Sequence, residues 1–441
     1  MEKPNIILIT VDALRSDILK AYNERNNNDF ISEFSKQGTL FINSFSNAPI
    51  TPYSLPSIMS GQYPGVYENE IRDPLPGTSW HPVKLSNQRK TIAEKLKDKG
   101  YHTVGLNDFN PFLIKGLGYE RGFCYYHDFQ TRSKKKMFRG KLIRLLRRSK
   151  KLKFLRGVLK LISFYFLDLS HTNSDKLTKT ALNVIEKREQ GDPFFLWMHF
   201  MDVHGPYSSH NKFTNRLKWF FLRSLFFFKP LENFSNKQIG VLKKLYINQY
   251  LYLSNNIIKK FIHDLEKKGI NKNNTHFIFT ADHGEAFLEH GKVEHTSDLY
   301  EELIKIPFIW VGPGISRKIV SENVSTVDIC PTLDHLINGS GANEYDGKSL
   351  VDLLTEDSVE EKNRDIISLS IEDKNIFLIS VRNEYEKYIA KITTKGEVKD
   401  FFIYDLKNDP NEKNKIKTHI NGSLILEKKA LEVIKKIKTQ K

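Results

Sequence analysis

Short runs of apolar residues alternate with helix-length segments along most of this chain. The clearest runs cover residues 5–11, 101–106, 194–201, 275–280 and 306–311. Each run is long enough for a buried strand and too short to span a membrane. Strands that alternate with helices form a mostly parallel sheet that is sandwiched between helices. The pattern therefore predicts an α/β fold.

The chain of 441 residues is long enough for more than one unit. We predict an α/β domain over residues 1–354 and a small α+β subdomain over residues 355–441, because the later strands look short and antiparallel and precede a Lys-rich helix over 422–438. Residues 17–38 are predicted to form a helix that precedes a strand at 39–45.

Positive charge is concentrated in one segment of the chain. Between Arg132 and Lys160 there are 14 Lys or Arg residues and no acidic residue, and without them the net charge of +16 would be +2. Apolar residues interleave with the charges across an excursion at about 129–168, and a second stretch at 216–229 mixes basic and aromatic residues. Such a segment can contact an anionic membrane or an acidic glycan, or it can pack on the domain with its charges solvated. Nucleic acid is the least favoured partner, because no known binding module accompanies the charge.

The two cysteines, Cys124 and Cys330, are too few for a disulfide framework. The first apolar run is too short for a secretory signal and ends in an acidic residue. We therefore expect free thiols and a cytoplasmic protein, with peripheral membrane contact through the basic segment as the alternative.

Acidic residues and histidines follow three of the predicted strands. Asp12 ends the first strand, His204 follows the run at 194–201, and Asp282 and His283 follow the run at 275–280. Ligands of parallel α/β sheets gather at the carboxyl ends of the strands, so these side chains are expected to meet there. His199 lies inside a strand and is interpreted as a hydrogen-bonded core residue.

These residue types suit one reaction class. Asp12, Asp282 and His283 offer two oxygens and one nitrogen to a divalent cation with an open position. Ser54, in the hydroxyl-rich loop at 51–57, could fill that position as a fourth ligand and attack as an alkoxide. His204 and His295 remain available as general acids or as oxyanion stabilisers. The set predicts displacement at the phosphorus or sulfur of an anionic ester.

The chain resembles the sulfatases of the alkaline phosphatase superfamily in several ordered motifs. They are Asn5 to Asp12, Ser54-x-Pro56-Ser57 with Gly61-x-Tyr63-Pro64, Asp202-x-His204-x-Pro206-Tyr207, Asp282-His283-Gly284-Glu285, Leu299-Tyr300-Glu301-Glu302, Val327-Asp328, and Tyr404-Asp405-Leu406 with Asp409-Pro410-x-Glu412. The resemblance covers nearly the whole chain. It implies an alkaline-phosphatase-like fold and a sulfuric ester hydrolase that acts on an anionic ester, with a polysaccharide as the candidate carrier of that ester. It also implies metal ligation by Asp12, Ser54, Asp282 and His283, with Ser54 as the nucleophile, and it gives His290 a supporting role.

The sequence departs from the family pattern at three places that matter. In one of them, Gly105-Leu106-Asn107 stands where the family has a Gly-Lys-x-His segment after a strand. Ile58 stands where typical members have the Arg that helps to direct oxidation of the nucleophile to formylglycine, and Ala13 replaces a second aspartate. An unmodified Ser54 is therefore expected. Calcium, magnesium, manganese and zinc all suit the ligand set.

Two alternatives to the sulfatase stay open. One is a phosphatase or a transferase of the phosphoethanolamine or glycerophosphate type that forms a phosphoserine at Ser54. The other is a non-catalytic relative that binds a membrane or a glycan.

Overall fold

The computed structural model describes most of the chain. The described residues are 3–65, 83–129, 174–189, 191–205, 207, 222, 234–339, 344–356, 364–373, 375–419 and 422–439. The basic segment at 132–160 and nearly all of the stretch at 216–229 lie outside them. No helix in the described ranges is long and apolar enough to cross a membrane.

The strands are short and lie between Asn5 and Asp405. They are β1 (Asn5–Val11), β2 (Thr39–Phe41), β3 (Ser44–Phe45), β4 (His102–Asn107), β5 (Tyr125–His127), β6 (Phe194–Phe200), β7 (Thr275–Ala281), β8 (Ala286–Phe287), β9 (Val293–Glu294), β10 (Phe308–Val311), β11 (Lys318–Val320), β12 (Val324–Ser325), β13 (Ile366–Asp373), β14 (Ile376–Arg382), β15 (Glu386–Thr393) and β16 (Val398–Asp405).

The helices connect these strands in an alternating order. They are α1 (Phe30–Ser35), α2 (Thr51–Ser60), α3 (Ile92–Asp98), α4 (Ser174–Glu186), α5 (Asn236–Tyr252), α6 (Lys259–Glu266), α7 (Glu301–Ile304), α8 (Ile329–Asn338), α9 (Val351–Thr355) and α10 (Ser423–Thr439).

The central sheet has the strand order β11-β2-β10-β7-β1-β6-β4-β5. Strand β1 lies in its middle and pairs in parallel with β6 and β7. Strand β10 is antiparallel to both of its neighbours. The sheet is therefore mostly parallel, as the alternation of strands and helices predicts.

Hydrophobic residues bury both faces of this sheet. In β1, Ile7 and Ile9 face a core shared with α1, α4, α5 and α6. The alternate residues Ile6 and Leu8 face a second core shared with α2, α3, α8 and α9. Burial on both faces explains why the strand reads as a continuous apolar run. The predicted sandwich of helices around a mostly parallel sheet is confirmed.

The C-terminal unit is a four-stranded antiparallel sheet, β13-β14-β15-β16, with α10 on one face. Its other face packs on the central domain, where Ile389 and Tyr404 meet Tyr300 and Leu303. The predicted small C-terminal α+β unit is present, and the domain boundary at residue 354 stays a prediction.

The region between β1 and β2 differs from the sequence prediction. The predicted helix over 17–38 is wrong: only Ser16–Ile18 and Phe30–Ser35 are helical. The intervening residues include four asparagines and one aspartate between positions 23 and 29. Asn and Asp side chains compete with helical hydrogen bonds, and Asp29 instead caps α1 by accepting from the Ser32 amide.

Candidate active site

Two carboxylates meet where the adjacent strands β1 and β7 end. Val11 pairs with Ala281, so the next residues, Asp12 and Asp282, leave the sheet side by side. The Ala13 amide donates to Asp282 Oδ1 at 3.2 Å from a backbone with φ of 58°. Both carboxylates are essentially inaccessible to solvent. The parallel topology thus brings together two acids that lie far apart in the sequence.

The hydroxyl between these acids belongs to Thr51, the first residue of α2. Thr51 Oγ1 lies 3.2 Å from Asp12 Oδ2, 2.8 Å from Asp282 Oδ2 and 3.2 Å from His283 Nε2. We call Asp12, Thr51, Asp282 and His283 the carboxylate cluster. The helix places Thr51 there because its N-terminus points at the ends of β1 and β7.

Ser54 occupies a different place from the one that the sequence analysis gives it. Its Oγ donates to the main-chain carbonyl of Asp282 at 2.5 Å and lies 3.1 Å from Ser46 Oγ. Thr51 and Ser54 are one helical turn apart and share a face of α2. The structure therefore places the hydroxyl of Thr51 at the carboxylates, and Ser54 supports the main chain behind them.

The charges of the two acids are strongly coupled. Burial alone would raise the pKa of the Asp12 carboxyl, but the nearby imidazoles of His204, His199 and His283 outweigh burial and lower it. Burial, followed by the negative charge of Asp12, raises the pKa of Asp282 to about 7. Two buried carboxylates this close cannot both ionise at low cost without a cation between them.

His283 presents an unprotonated nitrogen to the carboxylate cluster. Its Nδ1 lies 2.8 Å from the Gly284 carbonyl oxygen, which can only accept, so Nδ1 carries the proton. Burial, and then the charge of His295, lower the pKa of His283 to about 4. The neutral ring leaves the Nε2 lone pair facing Asp12 and Asp282, at 3.7 and 3.6 Å from their oxygens.

The donor set fits a divalent cation. Asp12 Oδ1 is buried and makes no hydrogen bond within the described residues. A buried carboxylate oxygen without a partner is costly unless a cation binds it. Asp12, Asp282 and His283 could hold the ion, with the Thr51 hydroxyl beside it. The predicted ligands Asp12, Asp282 and His283 thus converge, and Thr51 stands in the place predicted for Ser54.

His199 also belongs to this neighbourhood, which the sequence analysis missed. Ligand atoms of Asp12, His199 and Asp282 lie within 4.8 Å of one another. His199 Nε2 is 3.3 Å from Asp12 Oδ2, and its Nδ1 is 2.9 Å from Thr10 Oγ1. The expected hydrogen bonding of a buried strand histidine is present, but it is directed at a candidate metal ligand. The register places His199 opposite Thr10, two residues before Asp12, and this pairing depends on a strand order that the sequence analysis does not predict.

Two further histidines border the carboxylate cluster, as predicted. The ring centroids of His204 and His295 are 5.1 Å apart, and that of His295 is 4.7 Å from that of His283. His204 Nδ1 lies 2.7 Å from the Gly205 carbonyl, so its Nε2 is left for another partner. Both rings are partly exposed, unlike those of His199 and His283.

The carboxylate of Glu285 stabilises the protonated form of His295. His295 Nδ1 lies 3.4 Å from Glu285 Oε1, and the Tyr207 hydroxyl donates to Glu285 Oε2 at 2.9 Å. Burial would lower the pKa of the imidazole, but the contact with Glu285 outweighs burial and raises the pKa of His295 to about 9. A protonated imidazole next to His283, at the border of the carboxylate cluster, can bind an anion and protonate a leaving oxygen.

Several other histidines lie away from the carboxylate cluster or outside the described residues. His290 contacts Glu302 and Glu412. His276 packs against Trp310, and His127 against Phe129. His102 is a half-buried residue at the start of β4, and His171 lies outside the described residues.

The comparisons with known proteins agree with this geometry. The family model described as Sulfatase matches residues 4–339. An arylsulfatase of Clostridium perfringens is 25% identical, with 93% of this chain and 89% of that protein aligned. An N-acetylglucosamine-6-sulfatase of Capra hircus is 22% identical, with 80% of this chain and 64% of that protein aligned. In the solved structures, a phosphonate monoester hydrolase of Agrobacterium radiobacter superimposes with a TM-score of 0.72 at 15% identity, covering 99% of this chain and 96% of that one.

The family match covers the β1 strand, α2 and every member of the carboxylate cluster. The predicted family, fold class and enzyme class, a sulfuric ester hydrolase, are confirmed. This chain belongs to the sulfatase family.

Proposed function

We propose that the protein is a metal-dependent hydrolase of sulfate esters in which Thr51 is the nucleophile. One observation carries the assignment: Thr51 Oγ1 lies within 3.2 Å of two carboxylates and one neutral imidazole, which come from two separate segments of the chain. A hydroxyl becomes a nucleophile when an adjacent base or a metal activates it.

The residues present can carry out each proton movement. Asp282 Oδ2, 2.8 Å from Thr51 Oγ1, accepts the hydroxyl proton as the oxygen attacks sulfur. The new Thr51 O–S bond replaces the S–O bond to the leaving alcohol, and His295 donates its proton to that departing oxygen. A divalent cation, when bound, would polarise the ester and lower the pKa of the Thr51 hydroxyl.

The second half of the reaction regenerates the side chain. Neutral His295 takes a proton from water as the water oxygen attacks sulfur, and the Thr51 O–S bond breaks. Asp282 returns the proton to Thr51. Sulfate leaves, and the charges of His295 and Asp282 are restored.

A threonine at position 51 rules out a formylglycine nucleophile at this position. Its Cβ carries a methyl group and a single hydrogen, so oxidation would give a ketone and not the aldehyde of formylglycine. Sulfate must therefore be released by direct attack on a threonyl ester. The expectation of an unmodified hydroxyl nucleophile thus agrees with the geometry, with Thr51 in place of Ser54.

A carbohydrate sulfate is the proposed substrate class. The support is the similarity to a protein named for N-acetylglucosamine-6-sulfate hydrolysis, over 80% of this chain. The cationic His295 and the adjacent His204 suit the anionic group of such an ester. Both side chains are partly exposed, so the ester can reach them from solvent.

Phosphoryl transfer is the second candidate, and the identity of residue 51 favours it, because threonine cannot be oxidised to the formylglycine that typical sulfatases use. A threonyl ester is as suitable for phosphorus as for sulfur, and its cleavage by an alcohol in place of water would make the enzyme a transferase. The site geometry serves both reactions equally.

A paired assay tests the proposal. Wild-type protein is stripped of metal, reloaded with calcium, magnesium, manganese or zinc, and supplied with aryl sulfate and aryl phosphate. Turnover of the sulfate that requires one of these metals supports the proposal. Turnover of the phosphate alone assigns the second candidate, and turnover of neither ester with any metal contradicts both.

A further inference from the structure

The loop that carries His295 has an unusual backbone. In the loop between β8 and β9, Leu288 and His290 adopt φ values of 71° and 51° and Gly291 lies at 68°, and Glu294 at the end of β9 adopts 60°. Residues other than glycine pay a cost in this left-handed region, and such conformations persist only where the surroundings impose them. Some contact must therefore hold the loop at 286–294, which leads directly into His295.

His290 is held on three sides. Its Nδ1 lies 2.8 Å from Glu302 Oε1, and its Nε2 lies 2.8 Å from the main-chain oxygen of Glu412. Its ring stacks on Tyr300 with centroids 3.8 Å apart and planes 5° apart. Both nitrogens face oxygens that can only accept, so the ring donates twice and carries a positive charge. Burial lowers the pKa of such a ring, but the hydrogen bond and charge of Glu302 outweigh it and raise the pKa of His290.

Glu412 comes from the C-terminal unit, between β16 and α10. Its side chain is fully buried, with Oε1 2.6 Å from Lys387 Nζ and Oε2 2.8 Å from the Glu301 amide. Lys387, on β15, is also fully buried and reaches Glu301 at 3.2 Å. A buried charge is stable only when paired and hydrogen-bonded, so these contacts fix Glu412 tightly against the start of α7.

We infer that Glu412 and His290 form a clamp through which the C-terminal unit positions His295 beside the carboxylate cluster. His290 and Glu412 are positioning residues, since neither touches the carboxylate cluster. The C-terminal unit thereby contributes to turnover without supplying a residue to the reaction. The consequence for turnover rests on the proposed function, whereas the consequence for the loop does not.

His290→Phe in the full-length protein is the test. Phenylalanine retains a ring against Tyr300 and removes both donors, and His290→Gln keeps one donor in case the first variant does not fold. His335→Phe is the matched control. His335 lies on α8 and is also half-buried, and its Nδ1 lies 2.8 Å from Ser349 Oγ.

Hydrogen exchange of the segment at 286–295 is the primary measurement. In His290→Phe we expect its exchange to accelerate by about tenfold or more, because two hydrogen bonds to a charged ring are lost, while metal affinity is unchanged. With the aryl ester that the wild type hydrolyses, kcat falls by about tenfold or more and KM changes little. His335→Phe changes none of these quantities.

Two results would overturn the inference. Unchanged exchange in the segment at 286–295 of His290→Phe would show that His290 does not hold the loop. Accelerated exchange with unchanged kcat would show that the clamp does not position His295. If the wild type hydrolyses no ester, the exchange measurement alone still decides whether the clamp exists, and the failure belongs to the proposed function.

Discussion

Thr51 Oγ1 and Asp282 Oδ2 lie 2.8 Å apart, although 231 residues separate them in the chain. The contact joins the N-terminus of α2 to the end of β7, and it places a hydroxyl, and not a cysteine or a formylglycine, between the two buried acids. The mechanism proposed for this sulfatase family member depends on this contact.

Thr51→Val should abolish turnover while the fold is retained, since valine matches threonine in shape and lacks only the hydroxyl. Loss of a nucleophile should lower kcat by at least about 10³-fold. Ser54→Ala is the comparison: it leaves the Asp282 carbonyl with one partner fewer and should cost about 1–3 kcal/mol of stability, with kcat within about tenfold of wild type. Steady-state kinetics and chemical denaturation measure both effects, and the reverse ranking of the two kcat values would contradict the assignment.

Metal binding should stabilise the wild type and should fail in Asp282→Asn and His283→Gln. At a free metal concentration 100 times the dissociation constant, the gain in unfolding free energy is about 2.7 kcal/mol. Thermal unfolding with and without each metal measures it. An equal shift in Tm for wild type and both variants would place the ion elsewhere.

In the metal-free protein, Asp282 should contribute less to stability as pH rises towards neutrality. Because the pKa of Asp282 is raised to about 7 from an ordinary value of 3.8, the folded state binds this proton more tightly than the unfolded chain. Its contribution is therefore favourable below about pH 4 and is lost as pH rises through about 7, with a total effect of roughly 1–4 kcal/mol. His283, whose pKa is lowered to about 4, acts in the opposite direction, so the difference between wild type and Asp282→Asn isolates the contribution of Asp282. Denaturation of both metal-free proteins at several pH values tests the sign, and a stability difference that does not change between pH 4 and 7 would contradict it.

His295 should set the alkaline limit of activity. Its pKa is raised to about 9, so the ring remains a proton donor through neutral pH and loses that role as pH rises through about 9. Glu285→Gln removes the carboxylate that holds the proton, and the alkaline limb of kcat should move to lower pH. An alkaline limb that stays in place in Glu285→Gln would exclude His295 as the donor.

The basic segment from Arg132 to Lys160 should bind polyanions. Deleting it should weaken association with anionic vesicles or acidic glycans, and the wild-type affinity should fall steeply with salt, because salt screens the attraction between Lys or Arg side chains and a polyanion. Vesicle co-sedimentation and glycan binding at two salt concentrations measure this. If the wild-type protein binds neither anionic vesicles nor acidic glycans, the segment does not serve as a polyanion-binding site.

Much of the fold was predictable because its strands are buried on both faces. Strand β1 is a continuous apolar run for that reason, and Asp12 follows it directly, so both the strand and the acid at its end were visible in the sequence. Asp282 and His283 were predictable in the same way. The failed helix over 17–38 lies where asparagine side chains bond locally, which an apolar pattern does not register.

The hydroxyl was harder to assign, because Thr51 and Ser54 lie on the same face of one helical turn. Only the position of the helix start decides which of them meets the acids, and helix boundaries are the least reliable part of a prediction from sequence. His199 was missed for a related reason: its neighbours in space, Thr10 and Asp12, come from a strand 187 residues away. The contact between His199 and Asp12 depends on the strand order, which was not predicted from the sequence.

Covalent trapping tests the central claim most directly. Wild-type protein loaded with its activating metal is mixed with aryl sulfate or aryl phosphate, quenched in acid during turnover and digested, and the peptide containing residues 51–60 is sequenced by mass spectrometry. The account predicts a sulfate or phosphate ester on Thr51 that is absent from Thr51→Val and present in Ser54→Ala. An ester on Ser54, or formylglycine in place of Ser54, would contradict it.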